Sequence, residues 1–449
     1  MNNHHQPHQR PSFTRFFMSH VWVVAAVTVL WWVGCGGCGC NGSNGAGDKD
    51  SGVDAHIWED SSTDSSGHDA ELDGQVDAGP GSDCTIHTLP HEEIIPGELY
   101  RLPPTGEHKV YSMDWNGTQI VYSERRCGND SREEDVYFFD LEHRTEEAVT
   151  EALGSQKGAS IKGNGLVYFD FSYVKDGDPE NEYRSELIHY NLASATPTRL
   201  TDGNWPKIRP AFNGTHVAYL SYEHAPDASE PPDLKLLELA SGDEIELADH
   251  TQNIQRTYDI AADYVTWQAQ PVAEPNVWDI FYHHIPTGIT ERLQRSTMYL
   301  FSSRVSGARL VWNESDGTSY DVWVKQLPAG APERIVTEEH DQMAANIEGH
   351  LVIWFDWRHS GESFPSYSYD LYLHDLETGV SRRLTEQPGG WGGFAPSCRW
   401  LLYGQRIADN QAVTYAWDAV AAGVLDADCH VIPCDPQVET CAMIEWRSP

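Results

Sequence analysis

The residues with the most chemical potential recur at one position. Two residues beyond a repeated aromatic stand Glu124, Asp170, Ser221, Ala269, Glu314, Asp356 and Gln405, of which four are acids. Arg126 and Arg358 follow two residues after Glu124 and Asp356, and Tyr173, Tyr222, Trp357 and Arg406 are close in the chain. Carboxylates, arginines and aromatic rings at one rim suit a cation, a basic peptide or a sugar. Asp170, Tyr173, Glu314, Asp356, Trp357, Arg358 and Arg406 are therefore the candidate ligand-binding residues. The same pattern has a structural reading. Acids and arginines repeated in successive units satisfy loop amides and tie unit to unit, and a binding site rarely needs one residue type in every repeat. Repetition favours the structural reading.

Other chemistry is sparse. The chain has no G-x-S-x-G elbow, no H-E-x-x-H pair and no phosphate-cradling glycine loop. His91-Glu92-Glu93 lacks a second histidine, while His224 and His359 are the histidines best placed near a rim. No catalytic residue, cofactor or metal is expected. The long segments Val174–Tyr183 and His359–Tyr367 are where specificity would sit on a rigid scaffold. Asp176, Asp178 and Glu180 alternate as calcium ligands do, but the full loop pattern is missing and a solvated loop is favoured.

Six cysteines, Cys84, Cys127, Cys398, Cys429, Cys434 and Cys441, suggest disulfides in an exported chain. Their connectivity is open. Cys434 with Cys441, Cys127 with Cys398 and Cys84 with Cys429 is the arrangement expected if the first and last units are neighbours in a ring.

The elements that must position these groups are short strands. Tyr122, Tyr168, Tyr219, Trp267, Trp312, Trp354 and Tyr403 each end an apolar strand, and five residues earlier stand Gly117, Gly163, Gly214, Ala262, Gly307, Gly349 and Cys398. A small residue there suits a tight turn. Third strands follow, such as Asp135–Asp140, Asp321–Val324 and Asp370–Asp375, and then fourth strands, such as Pro197–Thr201 and Ser381–Thr385. Four strands at this spacing are the period of β-propeller blades. The expected fold is all-β, a single propeller of four-stranded antiparallel blades, with seven blades favoured and six as the alternative. The seventh unit lacks a fourth strand, and Glu98–Leu102 has no unit of its own. That N-terminal strand is expected to complete the last blade.

The unit Ala344 to Thr385 is the clearest copy. Its Leu351–Arg358, Asp370–Gly379 and Arg383–Thr385 strings resemble the repeat of TolB-like (WD40-like) β-propellers, with weaker copies from about Ser112 to Trp417. Relatives of that kind include periplasmic interaction proteins, regulatory domains of peptidases and some polysaccharide lyases. The resemblance implies a propeller without the peptidases' hydrolase domain. It speaks to fold more than to function.

The N-terminus reads as an address. Arg10 and Arg15 precede an apolar run, Val21–Val33, shorter than the roughly 20 residues a membrane span needs. Gly34-Cys35 follows, and the segment resembles a bacterial lipobox with Cys35 as the lipidated residue and Cys38 as the second choice. Residues 1–34 are then a signal peptide and 35–83 an acidic, Gly/Ser/Asp-rich tether. Residues 84–425 form the propeller, and 426–449 a cysteine-containing tail. A formal net charge of -38 argues against nucleic acid, whose phosphates need clustered cations. The expectation is a monomeric lipoprotein of the bacterial envelope, periplasmic or on the outer membrane. It would bind a membrane through its lipid and an envelope protein or glycan through the propeller, without catalysis. The alternative is a carbohydrate-active lyase or hydrolase that uses the axial funnel.

Overall fold

A computed structural model describes residues 99–444 apart from 103–109, 125–133, 151–153, 173–183, 204, 224–229, 298–299, 337, 360–368, 386–390, 409–410 and 435–440. Cys35, the tether, Cys84, Cys127, Tyr173, His224 and nearly all of both long loops lie outside the described residues. Seven four-stranded antiparallel sheets are present, consistent with a seven-bladed propeller. Blade one is Val110–Asn116, Gln119–Glu124, Asp135–Asp140 and Thr145–Ala148. Blade two is Gln156–Lys162, Gly165–Asp170, Glu186–Asn191 and Thr196–Arg199. Blade three is Lys207–Phe212, His216–Ser221, Asp233–Glu238 and Glu244–Ala248. Blade four is Gln252–Ala261, Tyr264–Pro271, Trp278–His284 and Ile289–Ser296. Blade five is Leu300–Ser306, Arg309–Ser315, Tyr320–Gln326 and Glu333–Arg334. Blade six is Gln342–Glu348, Leu351–Asp356, Asp370–Asp375 and Ser381–Arg383.

Blade seven takes three strands, Trp391–Pro396, Trp400–Ala408 and Gln411–Asp418, from one end of the chain and one from the other. Leu99–Leu102 pairs antiparallel with the third, Leu99 opposite Trp417 and Leu102 opposite Thr414. The expected N-terminal closure is thus present. Six of the seven first-to-second turns, all but that at Cys398, are as the glycine pattern implies. Gly349 has φ +62, and Ala262, the one alanine in the series, takes φ +47 in the same role.

Period-two alternation explains how the sheets stack. In the second strand of blade six, Leu351, Ile353 and Phe355 pack towards Leu401, Tyr403 and Trp417 of blade seven. Val352 and Trp354 point the other way, onto Val311, Val322 and Val324 of blade five. Both faces are apolar, so the strand reads as a continuous hydrophobic run. Such a layer lies between every adjacent pair of blades, and Trp400, Leu402 and Ala416 with Ile120 and Tyr122 join blade seven to blade one. All seven repeated aromatics face the preceding blade. Five also stack on an aromatic directly opposite in the third strand, as Trp354 does on Tyr372 at 5.8 Å and Trp312 on Trp323 at 6.2 Å.

First strands of successive blades touch one another and form the inner ring. In blades one, two and four, the polar side chain three residues before the first turn reaches the next blade. Asp114 accepts the Ile161 N–H at 2.9 Å, Ser160 that of Phe212 at 3.1 Å and Asp259 that of Val305 at 2.9 Å. Burial raises the pKa of Asp114 and Asp259; the Asp259 charge adds to the rise at Asp114, and burial together with both aspartates raises Glu348.

Two outcomes follow. A chain lacking residues through Leu102 leaves the Gln411–Asp418 edge unpaired, and should lose roughly 2–5 kcal/mol in urea unfolding relative to a chain truncated before Leu99. Asp114, with its folded pKa raised, is favoured protonated in the native state. Its contribution is best below its unfolded pKa and declines as pH rises through the folded value. Blade six already carries Asn346 at this position. Asp114→Asn should therefore gain stability over the native chain as pH rises from 4 to 8, in thermal unfolding followed across that range.

Candidate functional site

The two ends of the ring differ. At the end bearing the second-to-third loops, Asp356 is fully buried and accepts four hydrogen bonds. They come from Trp354 Nε1 at 2.9 Å, the Arg358 amide at 3.0 Å, Arg358 Nε at 2.9 Å and Arg358 Nη2 at 2.6 Å. The Arg358 guanidinium lies over the Tyr372 ring at 4.4 Å, and the Tyr372 hydroxyl meets His359 Nε2 at 2.7 Å. Burial, with the positive charge of Arg383 nearby, keeps the His359 imidazole below its usual value. Trp357 is buried against Tyr369 and donates its amide to Asp341 O. Asp170 accepts from Gln156 Nε2 at 3.1 Å and the Ser172 amide at 2.8 Å. Glu314 accepts from Gln294 Nε2 at 2.9 Å and Trp312 Nε1 at 3.3 Å. Arg406 lies in a strand, opposite Ala412. The acids two residues beyond the aromatic thus take up amides, arginine and the indole of that same aromatic.

A second set of fastenings was not anticipated from the sequence. The acid that opens a third strand binds a threonine hydroxyl just past the fourth strand. The pairs are Thr150 with Asp135 at 3.1 Å, Thr201 with Glu186 at 2.6 Å and Thr385 with Asp370 at 2.7 Å. The same hydroxyl accepts a third-strand amide, from Val136, Leu187 or Leu371. An arginine two residues before the threonine completes the group in blades two and six, as Arg199–Glu186 at 3.1 Å and Arg383–Asp370 at 3.0 Å. The signal was present in the repeated Arg-Leu-Thr strings at 199–201 and 383–385.

At the opposite end the tail packs beside blades six and seven. Val424, Leu425, Val431 and Ile444 join their shared core. Arg382 donates to the carbonyls of Gly423 at 3.0 Å, Ile432 at 3.1 Å and Ala442 at 2.9 Å. Farther along, at the loop-bearing end, Ile444 bridges in parallel to Thr385. Cys434 pairs with Cys441 as expected, but Cys398 pairs with Cys429, not with Cys127. The expected set is corrected because the tail returns across the Cys398 turn of blade seven. That contact depends on the fold and could not be read from blade order.

The strap so formed brings His430 to blade six. His430 Nδ1 lies 2.9 Å from Asp375 Oδ2, and His350 Nε2 lies 3.0 Å from the Cys429 carbonyl. The two imidazoles are 5.0 Å apart, and one ligand atom from each of His350, Asp375 and His430 lies within 4.8 Å of the others. Burial alone would raise the Asp375 carboxyl. Hydrogen bonds from Thr378, Glu377 and His430 outweigh it and hold it at about 2, and Asp375 raises His430 in turn. The expectation of no metal took His430 as an isolated histidine; these residues have the donor types of a metal site.

Neither a family model nor a curated protein matches the chain. Solved structures do. One of two prolyl endopeptidases is 10% identical with a TM-score of 0.52, over 69% of this chain and 48% of that one. The acylaminoacyl peptidase of Pyrococcus horikoshii is 12% identical with a TM-score of 0.50, over 70% of this chain and 51% of that one. TolB from Acinetobacter baumannii is 13% identical with a TM-score of 0.36, over 67% and 80%. The chain spans about half the length of the peptidases it matches. The likeness is one of fold, a β-propeller. Among the described residues no helix is long and apolar enough to cross a membrane.

Thr385→Val should cost about 1–3 kcal/mol in chemical unfolding, since it leaves the buried Leu371 amide and Asp370 without the hydroxyl. Thr198→Val, on the exposed outer strand of blade two, should stay within about 0.5 kcal/mol of the native chain.

Proposed function

We propose that this chain is a TolB-like envelope lipoprotein, anchored through Cys35 and held off the membrane by residues 35–83. Its propeller binds an envelope protein or a glycan at the end that carries the second-to-third loops. The observation that supports this most is the clamp at the root of the blade-six loop. Asp356, Arg358, Tyr372 and His359 fix the last residues before the segment 360–368. A long polar loop on a rigid root is the arrangement of a binding surface. On this reading Asp170, Glu314, Asp356, Trp357 and Arg358 shape the surface from below, and Tyr173, Arg406 and the loop make the contacts. No cofactor is required, and the protein acts as a monomer.

A second reading has an observation of its own. Two histidines and a carboxylate grouped at the strap offer the acid, base and metal donors of a hydrolase or lyase. A carbohydrate-active enzyme of this kind would work at the strap end of the ring, not at the funnel rim where it was first expected.

The experiment compares the full chain with a variant whose residues 360–368 are replaced by glycine and serine. Binding to purified envelope polysaccharides and envelope proteins is measured by interferometry, with melting temperature as the control. The binding reading expects affinity to fall at least tenfold with the melting temperature held. Equal binding by both chains removes the blade-six loop from the reading. Polysaccharide turnover abolished by His430→Ala replaces the binding reading with the enzymatic one.

A further inference from the structure

We propose that His350, Asp375 and His430 form a binding site for a divalent transition-metal ion, zinc being the best match, that clips the C-terminal strap to blade six. The three residues come from separate parts of the chain: the first turn of blade six, the end of its third strand, and the strap. The inference needs neither a catalytic role nor a ligand at the loop end, so it is independent of both functional readings.

Hydrogen bonding decides which atoms are offered. His350 Nε2 faces the Cys429 carbonyl at 3.0 Å. A carbonyl oxygen only accepts, so that nitrogen carries the proton and Nδ1 carries the lone pair. A ligating imidazole commonly donates its other N–H to a backbone carbonyl in this way, which fixes the ring and strengthens the ligand. Asp375 is buried, and its Oδ1 is held by the amides of Glu377 at 2.8 Å and Thr378 at 3.1 Å. Its Oδ2 faces His430 Nδ1 at 2.9 Å, with the Val431 amide at 3.3 Å. In the metal-free pair the proton on His430 Nδ1 points at Asp375 Oδ2. A divalent ion takes that place, with bonds formed to His430 Nδ1 and Asp375 Oδ2; the displaced proton goes to solvent from an imidazolium, or to Nε2 from a neutral ring.

The surroundings favour this ion. Two imidazoles and a carboxylate suit zinc, with copper and nickel as competitors, whereas calcium and magnesium want oxygen ligands. Two neutral imidazoles and one carboxylate balance half the charge of the ion, and Glu377 and Asp426 add negative field at His430. Both histidines are partly exposed, which leaves room for solvent as a fourth ligand. The backbone is held independently of the metal. Cys429, next to His430, is disulfide-bonded to Cys398. Gly349, next to His350, receives Arg309 Nη1 on its carbonyl at 3.1 Å and gives its amide to Ser306 Oγ at 2.8 Å. Zinc ligands about 2.0–2.1 Å from the metal stand roughly 3.3 Å apart, so donor atoms within 4.8 Å of one another must draw together to share it.

The test uses the full chain, stripped with a chelator and titrated with zinc chloride by calorimetry and with cobalt chloride by visible absorption. Histidines elsewhere, such as His4, His5 and His8, also bind zinc, so native chain and variants are compared under one protocol. His350→Gln keeps an N–H donor for the Cys429 carbonyl but is a poor ligand, and it leaves the Asp375–His430 pair intact. The site predicts that His350→Gln and His430→Ala each lose one tight zinc equivalent or weaken it more than tenfold. Each also loses the cobalt absorption band and the zinc-induced rise in melting temperature seen in the native chain. An ion-pair latch without a metal gives the same zinc stoichiometry in native chain and His350→Gln, and no melting shift specific to the native chain. That outcome overturns the proposal. Loss of fold in His430→Ala would leave His350→Gln as the deciding variant.

Discussion

Burial of both faces of every sheet is the constraint on which this structure depends. A four-stranded sheet with apolar residues on both sides cannot be stable alone, because each exposed face costs about 25 cal/mol for every Å² of apolar surface left in water. Val352 and Trp354 need blade five as much as Ile353 and Phe355 need blade seven. The requirement passes from blade to blade and ends only when the last blade meets the first, through Trp400 and Leu402 against Tyr122. Closure is therefore a condition for each local core. It explains why Leu99–Leu102 is used where it is: the third strand of blade seven would otherwise present an open edge.

The polar residues follow from the same constraint. Once both faces are buried, any acid near a strand end lies against apolar layers and must find donors. Asp356 finds them in Arg358 and Trp354, Asp370 in Thr385 and Arg383, and Asp170 in Gln156 and the Ser172 amide. These groups have the residue types of a binding site, and individually they resemble one. Their recurrence at equivalent strand ends, where the same packing problem recurs, is what gives them a structural explanation. The strap cluster differs. His350, Asp375 and His430 occur once, and no other blade repeats the arrangement among the described residues.

The division between what was legible and what was not has a physical basis. Tyr122 through Tyr403 and the small residues five positions before them were readable because the core imposes the same local requirement seven times and the turn imposes it six times. The closing strand was readable because one unit was a strand short and Leu99–Leu102 was spare. The Asp–Thr fastenings were half-visible: Arg199-Leu200-Thr201 and Arg383-Leu384-Thr385 stood out as repeats, but the acid they serve lies across a hairpin, as Asp370 does from Thr385. The strap was not readable. Cys398 meets Cys429 across 31 residues and His430 meets Asp375 across 55, and neither contact is periodic. Only the path of residues 419–434 over the blade-six and blade-seven core brings them together.

The strap also bears on why the ring carries a second closure so near the first. Leu99–Leu102 seals blade seven along its outer edge by backbone pairing, yet the interface between blades six and seven still ends in side chains such as Leu384 and Leu401 at the margin of the shared core. Val424, Leu425, Val431 and Ile444 cover that margin, and Arg382 holds the covering backbone through three carbonyls. A tail of this length has little core of its own, so cross-links must offset its conformational entropy. Two disulfides and the His430–Asp375 contact lie along it. The density of fastening is greatest where the chain is least able to fold by burial alone.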